Sequence, residues 1–304
     1  MKNLYWPVYL NLERELLDVA RTIHINDRQL EVYSMRIADL LVRTVVEIEA
    51  ISKELFYANG GTIPEGQDYP YFDSDCIRLL ADKWKIDKKI VLVTAVDMFM
   101  EEDSNVVLRP LCRARWRGNK GQDWNRAYQN VKHNRMKMLH KGTLKIFIRA
   151  LAALYLLNIY YRDENVVLDH DCTGRSHDFS FGSSVFSIQC HGKGSVISHD
   201  GGYVKGDDYE ECVYLSVPNQ EKYKQAVALI RKDEDDALLW AVKQFEAEVQ
   251  THSDSLKYFN EHATQRIGEL KSQRFIELRN KNARELGLLM MNMNYDGVLN
   301  KNQF

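Results

Sequence analysis

The sequence predicts a mainly α-helical protein in three segments: a helical bundle with a small β-hairpin over residues 1–163, a β-rich section over 164–219 and a C-terminal helical region over 220–304. Three observations predict it. Apolar residues recur every three or four positions through the first segment, the spacing that lines one face of an α-helix. The run IFIRALAALYLLNIYY (146–161) is apolar nearly all round, which suits the centre of a bundle. From residue 164 the texture changes: Gly, Ser, Asp and His punctuate short alternating runs such as SSVFSIQC and EECVYLSV, and helical periodicity returns only after Pro218.

Taken in order, residues 8–22 read as a helix and a longer one runs from about Asp27 to Tyr57, with Ile37, Leu41, Val45, Ile48 and Leu55 on its core face. Arg36, Arg43, Glu47 and Glu54 fall opposite, as a solvated face with Arg43 pairing Glu47. NGGTIPEGQDYP is a loop, and a short helix follows from Cys76 to Lys85. KIVLVTAVDMFM and NVVLRPLC flank a turn-like EEDSN and suggest the hairpin. After the glycine-bearing loop RGNKGQD, Asp123 is placed to cap a helix over 123–141, with Gly142 as its stop and Thr143 starting the next helix, to about Tyr161. Beyond Pro218, QEKYKQAVALIRK, DEDDALLWAVKQFEAEVQ and further stretches to about Asn294 are helical, the acids of DEDD sitting at a helix start where the dipole favours them.

At 304 residues the chain exceeds the usual single domain, and 45% hydrophobic content is ample for a core. Five cysteines with no CxxC spacing argue for a reducing cytosol rather than a disulfide scaffold. The N-terminal stretch lacks the apolar core of a signal peptide, and the apolar run at 146–161 is short and interrupted by Arg149 for a membrane span. A cytoplasmic protein without membrane attachment is expected. The net charge of −2 conceals an asymmetry: the window from Arg109 to Lys145 carries eleven Lys or Arg and one acid, Asp123. Such a basic segment is an electrostatic footprint for phosphate, nucleic acid or an acidic protein surface; pairing with the acidic remainder of the chain is the plainer alternative.

Within that window, WNRAYQNVKHNRMKMLHKG (124–142) combines two patterns. At about 100° per residue, Trp124, Tyr128, Val131 and Met138 form an apolar stripe. Arg126, Asn130, His133, Lys137 and His140 form a polar ridge on the opposite side. With a rise of about 1.5 Å per residue, the Arg126 and His133 backbones sit about 10 Å apart, so one phosphate can meet a guanidinium, an amide and an imidazole. These groups suit metal-free cleavage of RNA. A 2′-hydroxyl attacking the adjacent phosphorus needs proton transfer, which histidine performs near neutrality. The phosphorane is more negative than the ground state, and an arginine fork stabilises that added charge. A wet basic helix with an incidental histidine is the competing account.

RAYQNVKH, Arg126 to His133, resembles the R-x4–6-H signature of the HEPN superfamily, helical bundles that include RNA-cleaving toxins and antiviral effectors. The resemblance covers roughly residues 8–161. It implies a metal-independent endoribonuclease without a cofactor or metal, acting on single-stranded RNA or tRNA loops, and a homodimer whose motif helices share a cleft. Arg126 and His133 would be the catalytic pair and Asn130 a phosphate or orienting contact. Lys132, Arg135 and Lys137 would attract phosphates. The C-terminal half would sense a trigger, bind a regulatory protein or restrain the nuclease. The sequence departs from the pattern at Ala127, where active members often carry a polar residue. That departure favours the alternative, a non-catalytic HEPN-like module for assembly or for binding nucleotides or nucleic acid.

His170, Cys172, His177, Cys190, His191 and His199 cluster in the β-rich section, but their spacings form no standard pair of zinc knuckles, and turn-rich loops with scattered histidines are expected. HGKGS and DGGYVKGDD lack the context of a phosphate-binding loop and read as hairpin turns. LGLLMMNMN reads as a core or interface helix, and no GxSxG, HExxH or DxDxDG motif occurs.

Overall fold

The computed structural model describes residues 3–116, 119–192 and 203–304. The chain begins with α1 (Tyr5–Ala20), whose Tyr9, Leu12, Leu16 and Val19 are buried at helical spacing. β1 (Ile25–Asn26) follows, then a 3-10 turn, then α2 (Met35–Ala58), capped by Ser34, whose hydroxyl accepts from Ile37 N at 3.2 Å. All five expected core residues of α2 are buried. The helix starts at Ser34, not Asp27, because the preceding backbone has another task. The carbonyls of Leu30 and Val32 accept from Lys145 N and Leu144 N at 2.8 Å each. Arg43 reaches Glu15 of α1 at 3.9 Å, so the polar face of α2 is bridged to its neighbour helix.

A π-helical turn (72–76) leads into α3 (Ile77–Trp84), then β2 (Val91–Val93), β3 (Met98–Phe99), α4 (Asp103–Val106) and β4 (Val107–Leu108). The expected β2–β4 pairing is present and antiparallel. EEDSN is not a turn, however. It forms the start of α4, because the Asp27 carboxylate accepts from Glu101 N, Glu102 N and Asn105 Nδ2. The segment expected as a loop before residue 123 is a hairpin of β5 (Ala114–Trp116) and β6 (Asn119–Gly121). Next come α5 (Asp123–His133), α6 (Arg135–Met138) and α7 (Leu144–Arg162).

α7 occupies the centre, buried on every side as its composition requires. It is long and apolar enough to cross a bilayer, and 78% of its most apolar stretch is buried within the protein. Its start shows why a buried helix can begin here. Leu30 O, Val32 O and the Thr143 hydroxyl cover the first three otherwise unpartnered amides.

β7 (Val166–Asp169), β8 (Phe186–Ser187), β9 (Cys190–His191) and β10 (Tyr214–Pro218) follow, then α8 (Gln220–Gln250), α9 (Ser255–Lys281), α10 (Ala283–Met291) and β11 (Tyr295–Leu299). The molecule is thus mainly helical with small sheets. One sheet has the order β7-β11-β10-β9; another, β4-β2-β8, joins the N-terminal segment to the β-rich one. Phe179, Val185, Tyr214, Met293 and Leu299 share a single core with α1, α2 and α7. α8 and α9 pack on each other around Ala241, Phe245 and Leu270.

Two helices expected after Pro218 merge into α8, so DEDD lies in a helix interior and not at a start. Its acids bond across to the neighbouring helices instead. Asp233 accepts from Asn282 Nδ2 at 2.6 Å and Glu234 from Lys271 Nζ at 2.7 Å. LGLLMMNMN divides in the same way: Leu286, Leu289 and Met293 meet the core while Leu288 and Met291 are exposed. His199, most of HGKGS and the start of DGGYVKGDD lie outside the described residues.

Candidate active site

α5 is fixed by its apolar stripe. Trp124 is fully buried, stacks on Phe72 and donates from Nε1 to Pro110 O at 2.7 Å. Tyr128 and Val131 are buried below it. Gln122 occupies the cap position, and Asp123 is the first helical residue, ion-paired with Arg149 of α7. An acid there suits the positive end of the helix dipole.

The helix ends at His133, eight residues short of the expected Lys141. Asn134 leaves helical geometry (φ −149°, ψ 60°), and the chain turns through α6 and a 3-10 turn over 139–141. The cause is tertiary. Gly142 packs against Val131 and Ala38, so a Cβ at 142 would stand 3.3 Å from Val131 Cγ2. A straight helix would carry residue 142 about 16 Å past residue 131. Reversal is therefore obligatory, and Gly142 serves it through close approach at φ −84°, without the left-handed backbone of a helix stop.

The break divides the polar ridge. Arg126 and His133 stay on one continuous helix, about 20° apart around its axis. Both side chains are exposed, and Asn130 between them is half-buried. Lys137 is exposed beyond the break. His140, carried back by the reversal, meets Tyr33 edge-on at 6.4 Å between ring centroids. It lines a cleft of about 750 Å³ with Arg126, Asn130, Lys141, Glu31 and Asp123. His133 is not among the residues that form these walls. The walls carry Arg126 and Lys141 against Glu31 and Asp123, and Asp123 is ion-paired with Arg149 of α7.

Ala127 is buried and lines the same cleft near Ile146. The position after Arg126 thus lies at a little-exposed part of the cleft wall, where a polar side chain would need a partner. The three expected phosphate contacts are spread out. Arg135 is paired with Asp39 at 2.8 Å. Lys132 lies over the Tyr128 ring at 5.2 Å, in a smaller cleft with Lys53 and Glu49. A hydrogen bond with Tyr128 holds the Lys132 ammonium above its ordinary range. His140 carries no sequence signature beyond its place on the ridge, and only the fold makes it a neighbour of Arg126.

Of the histidines and cysteines in the β-rich section, His170 faces Met293 O at 3.2 Å and His177 meets Phe179 edge-on. Among the described residues, one group of side chains is close enough to hold a metal ion: His191 with Asp208 and Cys212. None of the motif residues belongs to it. Comparison of the chain with protein-family models, curated proteins and solved structures found no match.

Proposed function

We propose that this chain is a metal-independent endoribonuclease of HEPN type, cutting single-stranded RNA or tRNA loops in the cytoplasm. The observation that carries it is the cleft on α5, where Arg126 and Asn130 stand together with His140 and an exposed His133 follows on the same face. A phosphodiester entering this cleft meets a guanidinium fork that matches two phosphate oxygens. The 2′-oxygen attacks phosphorus as an imidazole accepts its proton. The P–O2′ bond forms, the P–O5′ bond breaks, and an imidazolium returns a proton to the 5′-oxygen. His140, which lines the cleft, and His133, exposed on the same helix face as Arg126, are the two imidazoles assigned to these roles. Arg126 stabilises the phosphorane and Asn130 orients the phosphate. A second copy whose motif helix faces this one would complete a shared cleft, and the C-terminal half would carry the trigger or a regulatory partner.

The test is RNA cleavage in EDTA by the wild type and by Arg126→Ala, His133→Ala and His140→Ala. Loss in Arg126→Ala and in at least one histidine variant supports the site; persistence in all three excludes it. The position of His133 outside the cleft walls favours a second reading, an RNA-binding module without cleavage. That reading expects no products from the wild type. It also expects salt-sensitive RNA affinity that weakens when Arg126 and Lys141 are neutralised.

A further inference from the structure

β9 runs parallel to β10, pairing Cys190 with Tyr214 and His191 with Leu215. The turn that enters β10 contributes Asp208 and Cys212 beside the His191 ring. His191 Nδ1 lies 2.9 Å from Asp208 Oδ1, and Cys212 Sγ lies 3.6 Å from Asp208 Oδ2. One donor atom from each of the three falls within 4.8 Å of the others. The His191 side chain is fully buried and Cys212 is buried, while the Asp208 side chain is 45% exposed. Asp208 and Cys212 open together onto a cleft of about 650 Å³, lined also by Thr173, His177, Ser180 and Cys190.

We propose that His191, Asp208 and Cys212 form a zinc site with three protein ligands and a fourth position facing this cleft. The donor set is the first support. Imidazole nitrogen, carboxylate oxygen and thiolate sulfur are the three zinc donors, and a thiolate disfavours calcium and magnesium. Distance is the second. Ligand atoms about 2.0–2.3 Å from a tetrahedral ion stand about 3.5 Å from one another. Cys212 Sγ stands 3.6 Å from Asp208 Oδ2, which already fits; His191 Nδ1 is nearer the other oxygen, Oδ1, at 2.9 Å, and one donor atom from each of the three lies within 4.8 Å of the others.

The third support is the hydrogen bonding of the ring. His191 Nε2 lies 3.3 Å from Val204 O and 3.5 Å from Gly206 N. Without metal, Nδ1–H donates to Asp208 and Nε2 accepts from Gly206. With metal, Nδ1 presents its lone pair to the ion and Nε2–H donates to the Val204 carbonyl, the outer contact that orients metal-bound histidines. Both ring nitrogens are partnered in either state: the ring keeps one proton, which moves from Nδ1 to Nε2, and the proton released on binding is that of the Cys212 thiol. Charge is the fourth. One carboxylate and one thiolate neutralise the dication, beside the buried Lys89 that donates to the Cys212 carbonyl. The open position suits a water or an anionic oxygen from a ligand in the cleft. This site is independent of the α5 proposal, since it shares no residue with it and its test reads metal and not RNA.

The experiment titrates full-length, chelator-treated protein with Co²⁺, then displaces it with Zn²⁺. One equivalent is expected to give visible bands of tetrahedral cobalt and a near-ultraviolet thiolate-to-cobalt band. Cys212→Ser should abolish the thiolate band and Cys190→Ser should leave it. Asp208→Asn, at a half-exposed position, should weaken Zn²⁺ binding roughly 100-fold or more. Absence of tetrahedral bands in the wild type overturns the site. So does a thiolate band that survives Cys212→Ser, or Zn²⁺ affinity unchanged in Asp208→Asn.

Discussion

Gly142 sits against Val131, eleven residues earlier in the chain, with 3.3 Å between its ideal Cβ position and Val131 Cγ2. That contact turns the chain back after α5 and returns His140 to the cleft that holds Arg126. A larger residue at 142 has Val131 and the Ala38 backbone in its way. Gly142→Val is expected to lose about 1–3 kcal/mol of stability through overpacking, read as a lower denaturant midpoint. RNA cleavage should fall along with it, because the reversal positions a wall of the cleft.

Arg126 is expected to matter in the transition state more than in binding. Arg126→Ala should lower the rate constant for RNA cleavage by about 10²–10³, with RNA affinity reduced much less. Arg126→Lys keeps the charge but loses the planar fork, and should recover only part of the rate. Single-turnover cleavage with protein in excess separates the two quantities. Equal losses in rate and affinity would assign Arg126 to binding alone.

Glu13, on α1, is buried and joins α1 to the loop before β8. It accepts from the Tyr9 and Ser183 hydroxyls and from Ser184 N at 3.1 Å. Glu13→Ala removes the acceptor of the Ser184 amide and leaves the buried Tyr9 and Ser183 hydroxyls only each other, and should cost about 3 kcal/mol. Glu13→Gln keeps the volume and one acceptor oxygen, and should cost about half as much. Urea unfolding of the two variants measures the difference, and no loss in either would show that water replaces the carboxylate.

Lys89 is fully buried, and its ammonium donates to Cys212 O at 3.0 Å. Burial pushes its pKa down from 10.5 to about 7. Below pH 7 the lysine is charged in both folded and unfolded chains, and the folded state bears the whole cost of burying that charge. Between pH 7 and 10.5 the unfolded chain binds more protons, so stability rises with pH and the cost fades. Lys89→Met should therefore stabilise the protein most at pH 7 and below, by about 5 kcal/mol at most, and not at all near pH 10.5. Thermal or urea unfolding in EDTA across this range checks the sign, and a gain that grows with pH would contradict it.

Local pattern was sufficient for much of this architecture. The spacing of Ile37, Leu41, Val45 and Ile48 marked the core face of α2, Thr143 marked the start of α7, and the stripe from Trp124 to Val131 marked which side of α5 is buried. Each of these depends on neighbours within a few turns, where helical periodicity acts. Other features depend on residues far apart in the chain. β11 inserts between β7 and β10, and β8 joins β2, pairings that no short window contains. The end of α5 at His133 answers to Gly142 meeting Ala38 of another helix. DEDD has the look of a helix start, but its position inside α8 answers to Asn282 and Lys271, almost 50 and 40 residues downstream.

The sequence by itself determined the helical class, the central place of α7, and the sharing of one exposed helix face by Arg126 and His133, because those follow from residue spacing along a rod. Only the tertiary structure decided that His140 and not His133 lines the cleft with Arg126, and that His191 meets Asp208 and Cys212. Both outcomes depend on chain reversals and strand pairings stabilised by long-range packing, which spacing along the chain does not encode.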